Sequence, residues 1–362
     1  MKVAIVHDWL VGGGAEKVTL ELHKLYPEAP IYTSYCSPEW RQKLDGKVVT
    51  GYLQHWPFSK LRKFLPLLRI WWFTHLDFNN YDLVISVSGN GEAKGVRVPA
   101  GTKHINYCHT PTHFYWRHYD QYLKSPGFGI FNPLARLGLK VLARPLRKWD
   151  YKAAQRADLV LANSSHIKDD IKKYYDRDSI VVHPPVDTER FADVKQQTRQ
   201  GYVTMGRLAP YKRVDLIVEA CTQLNLPLKV IGRGPELHHL QKIAGPTVSF
   251  LTNVSDEAMP GQLASAKAFI FAAFEDFGIA PVEAMAAGTP VIAYKAGGAM
   301  DYVREGTSGK LFQEQTIESL TNALMRFNPE NYELARIRKI AEEFGKKSFA
   351  ARMRDAVNQG KL

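Results

Sequence analysis

Residues 268–286 read AFIFAAFEDFGIAPVEAMA, and the order of residue types there decides how the rest of the chain is read. Ala268–Phe271 is a short continuous apolar run, as expected of a strand buried on both faces. Gly278 breaks the run, and Pro281 suits the first turn of a helix, where its missing N–H costs nothing. Strand, loop and helix therefore follow in that order, with Glu275 at the strand end and Glu283 just inside the helix. Ala280 is the expected N-cap; lacking a hydroxyl, it makes no capping box with Glu283. The N–H groups near Gly278 and Ile279 would leave a helix N-terminus ready for a phosphate.

The same alternation runs outward in both directions. Strands are predicted at Val3–His7, Ile31–Ser34, Val48–Leu53, Leu83–Val87, His104–Cys108 and Leu159–Ala162, then at Tyr202–Gly206, Leu228–Ile231, Val248–Leu251, Ala268–Phe271 and Val291–Ala293. Strands alternating with helices imply parallel sheets with crossover helices. Paired prolines at His183-Pro184-Pro185-Val186-Asp187 read as a linker. The expected architecture is α/β: two doubly wound, Rossmann-like domains facing across a cleft. An N-terminal acceptor-side domain covers 1–184 and a C-terminal donor domain 185–345. A last helical stretch, about Ile340–Val357, lets 346–362 pack back on the first domain.

Three other stretches carry chemistry. Gly206-Arg207-Leu208-Ala209-Pro210-Tyr211-Lys212-Arg213 follows a strand and precedes a helix at Val214–Ala220. Arg207 offers a bidentate fork and Lys212 a point charge, both suited to a departing diphosphate. A glycine loop, Gly12-Gly13-Gly14-Ala15-Glu16-Lys17, follows the first strand. It lacks the Gly-Lys-Ser/Thr ending of a P-loop and the third glycine of a dinucleotide fingerprint. Tyr107-Cys108-His109-Thr110-Pro111-Thr112-His113-Phe114-Tyr115-Trp116 follows another buried strand, so His109 can meet a sugar or phosphate and the aromatics a sugar ring. Each stretch has a plain alternative: a solvated basic loop, a tight turn, aromatic core packing. The Asp176-Arg177-Asp178 triplet reads as a solvated turn.

Taken in order with the Pro-Pro-Val-Asp linker and the two glutamates with seven residues between them, these stretches resemble glycosyltransferase family 4, retaining enzymes of the GT-B fold. The His-Thr-Pro loop and Asn163-Ser164…His166-Ile167 look most like bacterial mannosyltransferases of surface polysaccharide assembly. The resemblance implies that Arg207 and Lys212 bind the donor diphosphate, Glu283 the ribose and Glu275 the sugar hydroxyls. It places the main chain of Phe277, Gly278 and Ile279 at sugar and phosphate, His109 beside the donor sugar, and Gly13 and Gly14 at the phosphates and acceptor. Gly232-Arg233-Gly234-Pro235 and Thr252-Asn253-Val254 would lie near the base. Catalysis would rest on His109, Arg207, Lys212 and Glu275, with no metal and no cofactor. The donor substrate would be a nucleotide sugar, with GDP-mannose favoured over UDP- and ADP-sugars. The acceptor would be a saccharide or a polyprenyl-diphosphate-linked one.

Net charge is +12, and residues 1–185 carry 26 Lys/Arg against 16 Asp/Glu, nearly the whole excess. That half is expected to meet something anionic. Phe58–His75 has Leu61, Leu65, Leu68 and Trp72 at helical spacing, with Lys60, Arg62, Lys63 and Arg69 among them, as in an interfacial segment. Pro66 argues against one continuous helix. Arg136, Lys140, Arg144, Lys148 and Lys152 form a second stripe, with Pro145 expected to kink or break it. No signal peptide is recognised at the start, no run of about 18 uncharged apolar residues occurs, and Cys36, Cys108 and Cys221 are scattered. A cytoplasmic protein, peripheral on the inner membrane face, is the expectation. Nucleic-acid binding has only the charge in its favour. A sugar-nucleotide epimerase would share the scaffold but use no acceptor. A kinase is ruled out, because Asp276-Phe277-Gly278 has no His-Arg-Asp beside it.

Overall fold

The computed structural model describes residues 1–359 apart from 90, 125, 128, 192 and 195–197, and leaves the side chains of 63 and 130 undescribed. The chain divides into two compact units, Met1–Pro184 with Ala350–Leu362, and Pro185–Phe349.

The first unit holds β1 (Val3–His7), β2 (Ile31–Thr33), β3 (Val48–Thr50), β4 (Leu83–Ser88), β5 (Lys103–Cys108), β6 (Leu159–Ala162) and β7 (Ile180–Val181). All pair in parallel, in the order β3-β2-β1-β4-β5-β6-β7. Every residue of β1 and β4 is buried, which is why both read as near-continuous apolar runs. The exceptions on β4 are satisfied across the ladder to β5: Ser86 Oγ lies 2.8 Å from His104 Nε2, and Asn106 Nδ2 donates to Ser88 Oγ at 3.0 Å.

The second unit holds β8 (Tyr202–Met205), β9 (Leu228–Ile231), β10 (Val248–Leu251), β11 (Ala268–Phe271), β12 (Val291–Tyr294) and β13 (Gly309–Phe312). The sheet is parallel throughout, ordered β10-β9-β8-β11-β12-β13. Both sheets are doubly wound, as expected, and in each the strand order reverses beside its first strand. Ligands of such sheets bind at that reversal, beyond the carboxyl ends of the strands.

Two strands escape the sequence reading. β7 is only two residues long, and β13 opens on Gly309-Lys310 and shows no strong apolar pattern. The C-terminal helical stretch is two helices, Leu334–Glu342 and Lys346–Asn358. They part where Phe344 O accepts from Val186 N at 3.0 Å and Gly345 lies against Thr188, leaving no room for a side chain. From Ala350 onward the last helix belongs to the first unit. There Lys103 Nζ donates to Val357 O at 2.7 Å and Arg352 meets His183 Nδ1 at 2.8 Å.

Candidate functional site

In the second unit the site is built where β8 and β11 end. The loop after β8 carries Arg207, exposed, and Lys212, held in a one-turn helix, Pro210–Lys212, ahead of helix Val214–Gln223. The loop after β11 carries Glu275, and the Lys212 ammonium pairs with its carboxylate. Each of these two side chains is about a fifth exposed, 20% and 18%, so the pair is open to a ligand. Burial nevertheless lowers the Lys212 pKa to about 8. Gly206, Arg207, Lys212, Ile231, Phe271 and Ala272 line a small crevice beside the pair.

Gly278, not Ala280, is the N-cap of helix Ile279–Ala286. Its φ of +87° is a conformation that L side chains rarely adopt, and a Cβ there would stand 3.0 Å from Phe271 Cζ and Tyr302 Oη. The helix therefore starts two residues earlier than the apolar pattern suggests. Pro281 lies in its first turn, as expected, and Glu283 is buried on the next. The Phe277 ring is an anchor, buried at 5.5 Å from Tyr302 and 5.8 Å from Phe344, which fixes the main chain of 277–279.

Sequence reasoning missed what supports this loop from below. Gly298 N donates to Glu275 O at 2.9 Å, and a Cβ on Gly297 would fall 2.3 Å from that same oxygen. The Gly297-Gly298 pair directly after β12 was the available signal. Gly232 follows β9 and donates to Leu251 O at 3.0 Å, while Arg233 Nε donates to Thr252 O at 2.8 Å. The two loops expected near the base are thereby tied together. Asn253 is exposed and Val254 half-buried against the core.

In the first unit, Gly13 caps helix Gly14–Leu25, and the Glu16 carboxylate folds back to accept from Gly12 N at 2.9 Å. His109 N donates to Ser88 O at 2.7 Å, which seats the histidine at the end of β5 beside β4. Desolvation lowers the His109 pKa to about 3, helped by His7 and opposed by a hydrogen bond to the main chain of Ala15. Its Nε2 is buried and has no hydrogen-bond partner among the described residues. The ring is neutral at physiological pH, with Nδ1 donating to the main chain, so Nε2 is left as an acceptor for a hydroxyl.

Buried charge surrounds this loop. Asp8 accepts from Gly89 N at 3.0 Å and Ala93 N at 2.8 Å. Arg69 grips Glu92 with two bonds of 2.7 and 3.0 Å. Lys94 pairs with Asp150 at 2.7 Å and donates to Thr112 Oγ1 at 2.8 Å. Asp150 further accepts from Thr112 Oγ1 and Trp116 Nε1 at 2.8 Å and from Tyr175 Oη at 2.7 Å. Thus the loop that carries His109 is clamped to one carboxylate. Sequence reasoning missed this cluster too; charged residues spaced by glycines in Gly89–Gly95, directly after a buried strand, were its only trace.

Residues 12–190 match the Glycosyltransferase Family 4 profile, and residues 185–344 match that of Glycosyl transferases group 1. The chain belongs to glycosyltransferase family 4. The chain is similar to a GDP-mannose-dependent alpha-(1-6)-phosphatidylinositol monomannoside mannosyltransferase of Mycolicibacterium smegmatis, at 30% identity over 39% of the chain and 44% of that protein. It is also similar to an alpha-1,3/1,6-mannosyltransferase of Schizosaccharomyces pombe, at 24% identity over 86% of the chain and 70% of the relative. The chain spans about half the length of the first curated relatives it matches, 44–47%. Anabaena HepE in complex with UDP superposes with a TM-score of 0.71 at 19% identity, over 99% of this chain and 100% of the other. The chain therefore has the GT-B fold.

The two surface stretches of the chain need correction. Phe58–His75 is broken as expected, into helices Phe58–Leu61 and Pro66–Thr74. Its regular stripe mostly faces inward, however: Trp72 is buried and Leu68 packs on the core beside it. Arg69, expected to face outward, is buried in its pair with Glu92. The Lys63 side chain lies outside the described residues. Helix Asn132–Ala154 runs unbroken past Pro145. The carbonyl that loses its partner there is that of Val141, which is exposed, so water can replace the bond. Among the described residues, no helix is long and apolar enough to cross a membrane, and no group of three His, Cys, Asp or Glu is arranged to hold a metal ion.

Proposed function

We propose that the chain is a retaining mannosyltransferase that moves mannose from GDP-mannose to a saccharide or polyprenyl-diphosphate-linked saccharide in surface polysaccharide synthesis. The reaction is placed on the cytoplasmic side, at the inner face of the cell membrane. The observation that carries the reading is the open Lys212–Glu275 pair beside the Gly278 helix start, at the end of β8 and β11. Arg207, Lys212 and the N–H groups of 278–279 offset the negative charge of the departing diphosphate without a metal. Glu275 holds sugar hydroxyls, Glu283 holds the ribose, and Gly232, Asn253 and Val254 border the base. Neutral His109 accepts a hydroxyl of the transferring sugar, and Gly13 and Gly14 border the phosphates. The names of the mannosyl-transferring relatives support mannose as the sugar.

The test is thermal stabilisation by GDP, UDP and ADP on the wild type and on Glu283→Ala. A ligand at about 100 times its Kd adds roughly 2.7 kcal/mol. Stabilisation by GDP, weakened in the variant, is the expected result. A preference for UDP or ADP discards the mannosyl donor and keeps the transferase. No response to any nucleotide discards the donor site.

A further inference from the structure

We infer that the first half of helix Asn132–Ala154 is a docking surface for an anionic lipid bilayer. This deepens the membrane clause of the proposed function and does not depend on which donor is used. The helix has 23 residues, and its buried ones are Ala143, Leu146, Asp150, Ala153 and Ala154. None of residues 132–142 is buried. Helices in proteins owe most of their stability to an apolar face packed on something else. Here the buried residues are confined to the second half, and the first half meets helix Tyr119–Lys124 through Arg136, which donates to Leu123 O at 3.1 Å and Lys124 O at 2.8 Å.

The surface it presents combines apolar and basic side chains and has no acidic one. Phe131, Leu134, Leu137 and Val141 are 56%, 66%, 59% and 64% exposed and recur every three or four residues, so they share one side. Lys140 and Arg144 stand three residues after Leu137 and Val141, at its edge. From Gln121 to Trp149 there are six basic residues and no acidic one. A second surface of the same kind lies on the preceding segment. Leu61, Phe64, Leu67 and Trp71 are exposed there, and Gly46–Leu76 has no acidic residue. The helices that bear the two surfaces both pack against the short turn Ala93–Gly95.

The chemistry selects the occupant. Bulky apolar side chains flanked by cations suit the boundary between headgroups and acyl chains, where both are accommodated at once. A nucleic acid would leave the four apolar side chains without a partner. A second copy seated on this face would bring like charges together.

The experiment is co-sedimentation with phosphatidylcholine vesicles, with and without phosphatidylglycerol, on the full chain. Two double variants are compared with wild type: Leu134→Glu with Val141→Glu, and Lys140→Gln with Arg144→Gln. Wild type is expected to bind only the anionic vesicles and to be released by salt. The glutamate variant should lose binding, and the glutamine variant should weaken it by about fivefold per charge. Both should melt with wild type and keep its GDP response, since the altered residues bury nothing; an absent GDP response in wild type would count against the donor site, not against docking. The inference is overturned if wild type binds no anionic vesicle at any salt, or if the glutamate variant binds as well as wild type. It is also overturned if the glutamate variant instead abolishes a concentration-dependent dimer, or if a DNA oligonucleotide, not vesicles, is what wild type retains.

Discussion

The two sheets share one strand order up to their sixth strand, yet the ends of their central strands are put to different use. In the first unit the charges near the reversal are matched to one another: Arg69 with Glu92, Lys94 with Asp150, and Asp8 with main-chain N–H groups, all buried. In the second, Arg207 is exposed and Lys212 and Glu275 pair with each other while each stays about a fifth exposed, beside a small crevice. One topology thus yields a seat for a histidine loop whose charges are buried and paired, and a partly exposed charged pair. Buried pairs serve placement more than stability, since their desolvation offsets much of their attraction. Open pairs can exchange partners.

The sharpest way to break this contrast is Asp150→Ala. Four groups lose an acceptor and Lys94 becomes a buried, unpaired charge, so the loss should be about 3–5 kcal/mol. The urea midpoint followed by tryptophan fluorescence checks it, and Asp150→Asn should cost less. Lys212→Ala comes next. Its side chain is partly exposed, so the fold should hold while transfer falls about 100- to 1000-fold. Turnover and melting temperature measured together test both halves of that statement. If Asp150→Ala were harmless and Lys212→Ala unfolded the protein, the roles assigned to the two regions would be reversed.

The open region was the legible one. Arg207, Lys212, Glu275, Gly278 and Glu283 are named by local pattern, because a glycine, a helix start and charges after an apolar run lie within a few residues of one another. The buried region was not. Asp150 is 38 residues from Thr112 and 25 from Tyr175, and no local rule joins them. Arg69 shows the cost of that blindness. The sequence reading counts it among the charges of an interfacial segment, whereas its partner Glu92 lies 23 residues on and takes it inward. Strand existence is legible where both faces are buried and at the edge strands β3 and β10, but not at the edge strands β7 and β13, which have little apolar pattern to show.

Gly278→Ala sharpens the contrast within the open site. Holding an alanine at a φ of +87° should cost about 1–2 kcal/mol, before the crowding against Phe271 and Tyr302 is counted. The loop can relieve it only by moving the N–H groups that face the ligand. A melting curve and a GDP titration should therefore fall together, the affinity by about tenfold for each 1.4 kcal/mol lost.

The smallest effect is one of pH, and its sign separates binding from stability. Burial places the Lys212 pKa at about 8, below its ordinary value of 10.5. Because the folded value is depressed, the unfolded chain holds the extra proton between those two values. This group's contribution to stability therefore rises with pH across that window. A bound diphosphate favours the ammonium and raises its pKa, so nucleotide affinity is full below about 8 and falls above it, by at most about tenfold per pH unit. Affinity and stability should thus move in opposite directions as pH rises from 8 to 10. Lys212→Arg, charged throughout, should flatten the affinity curve. His109, already neutral above about 3, should add no inflection between pH 5 and 8. A GDP affinity that stayed constant to pH 10 in the wild type would mean that Lys212 does not face the diphosphate.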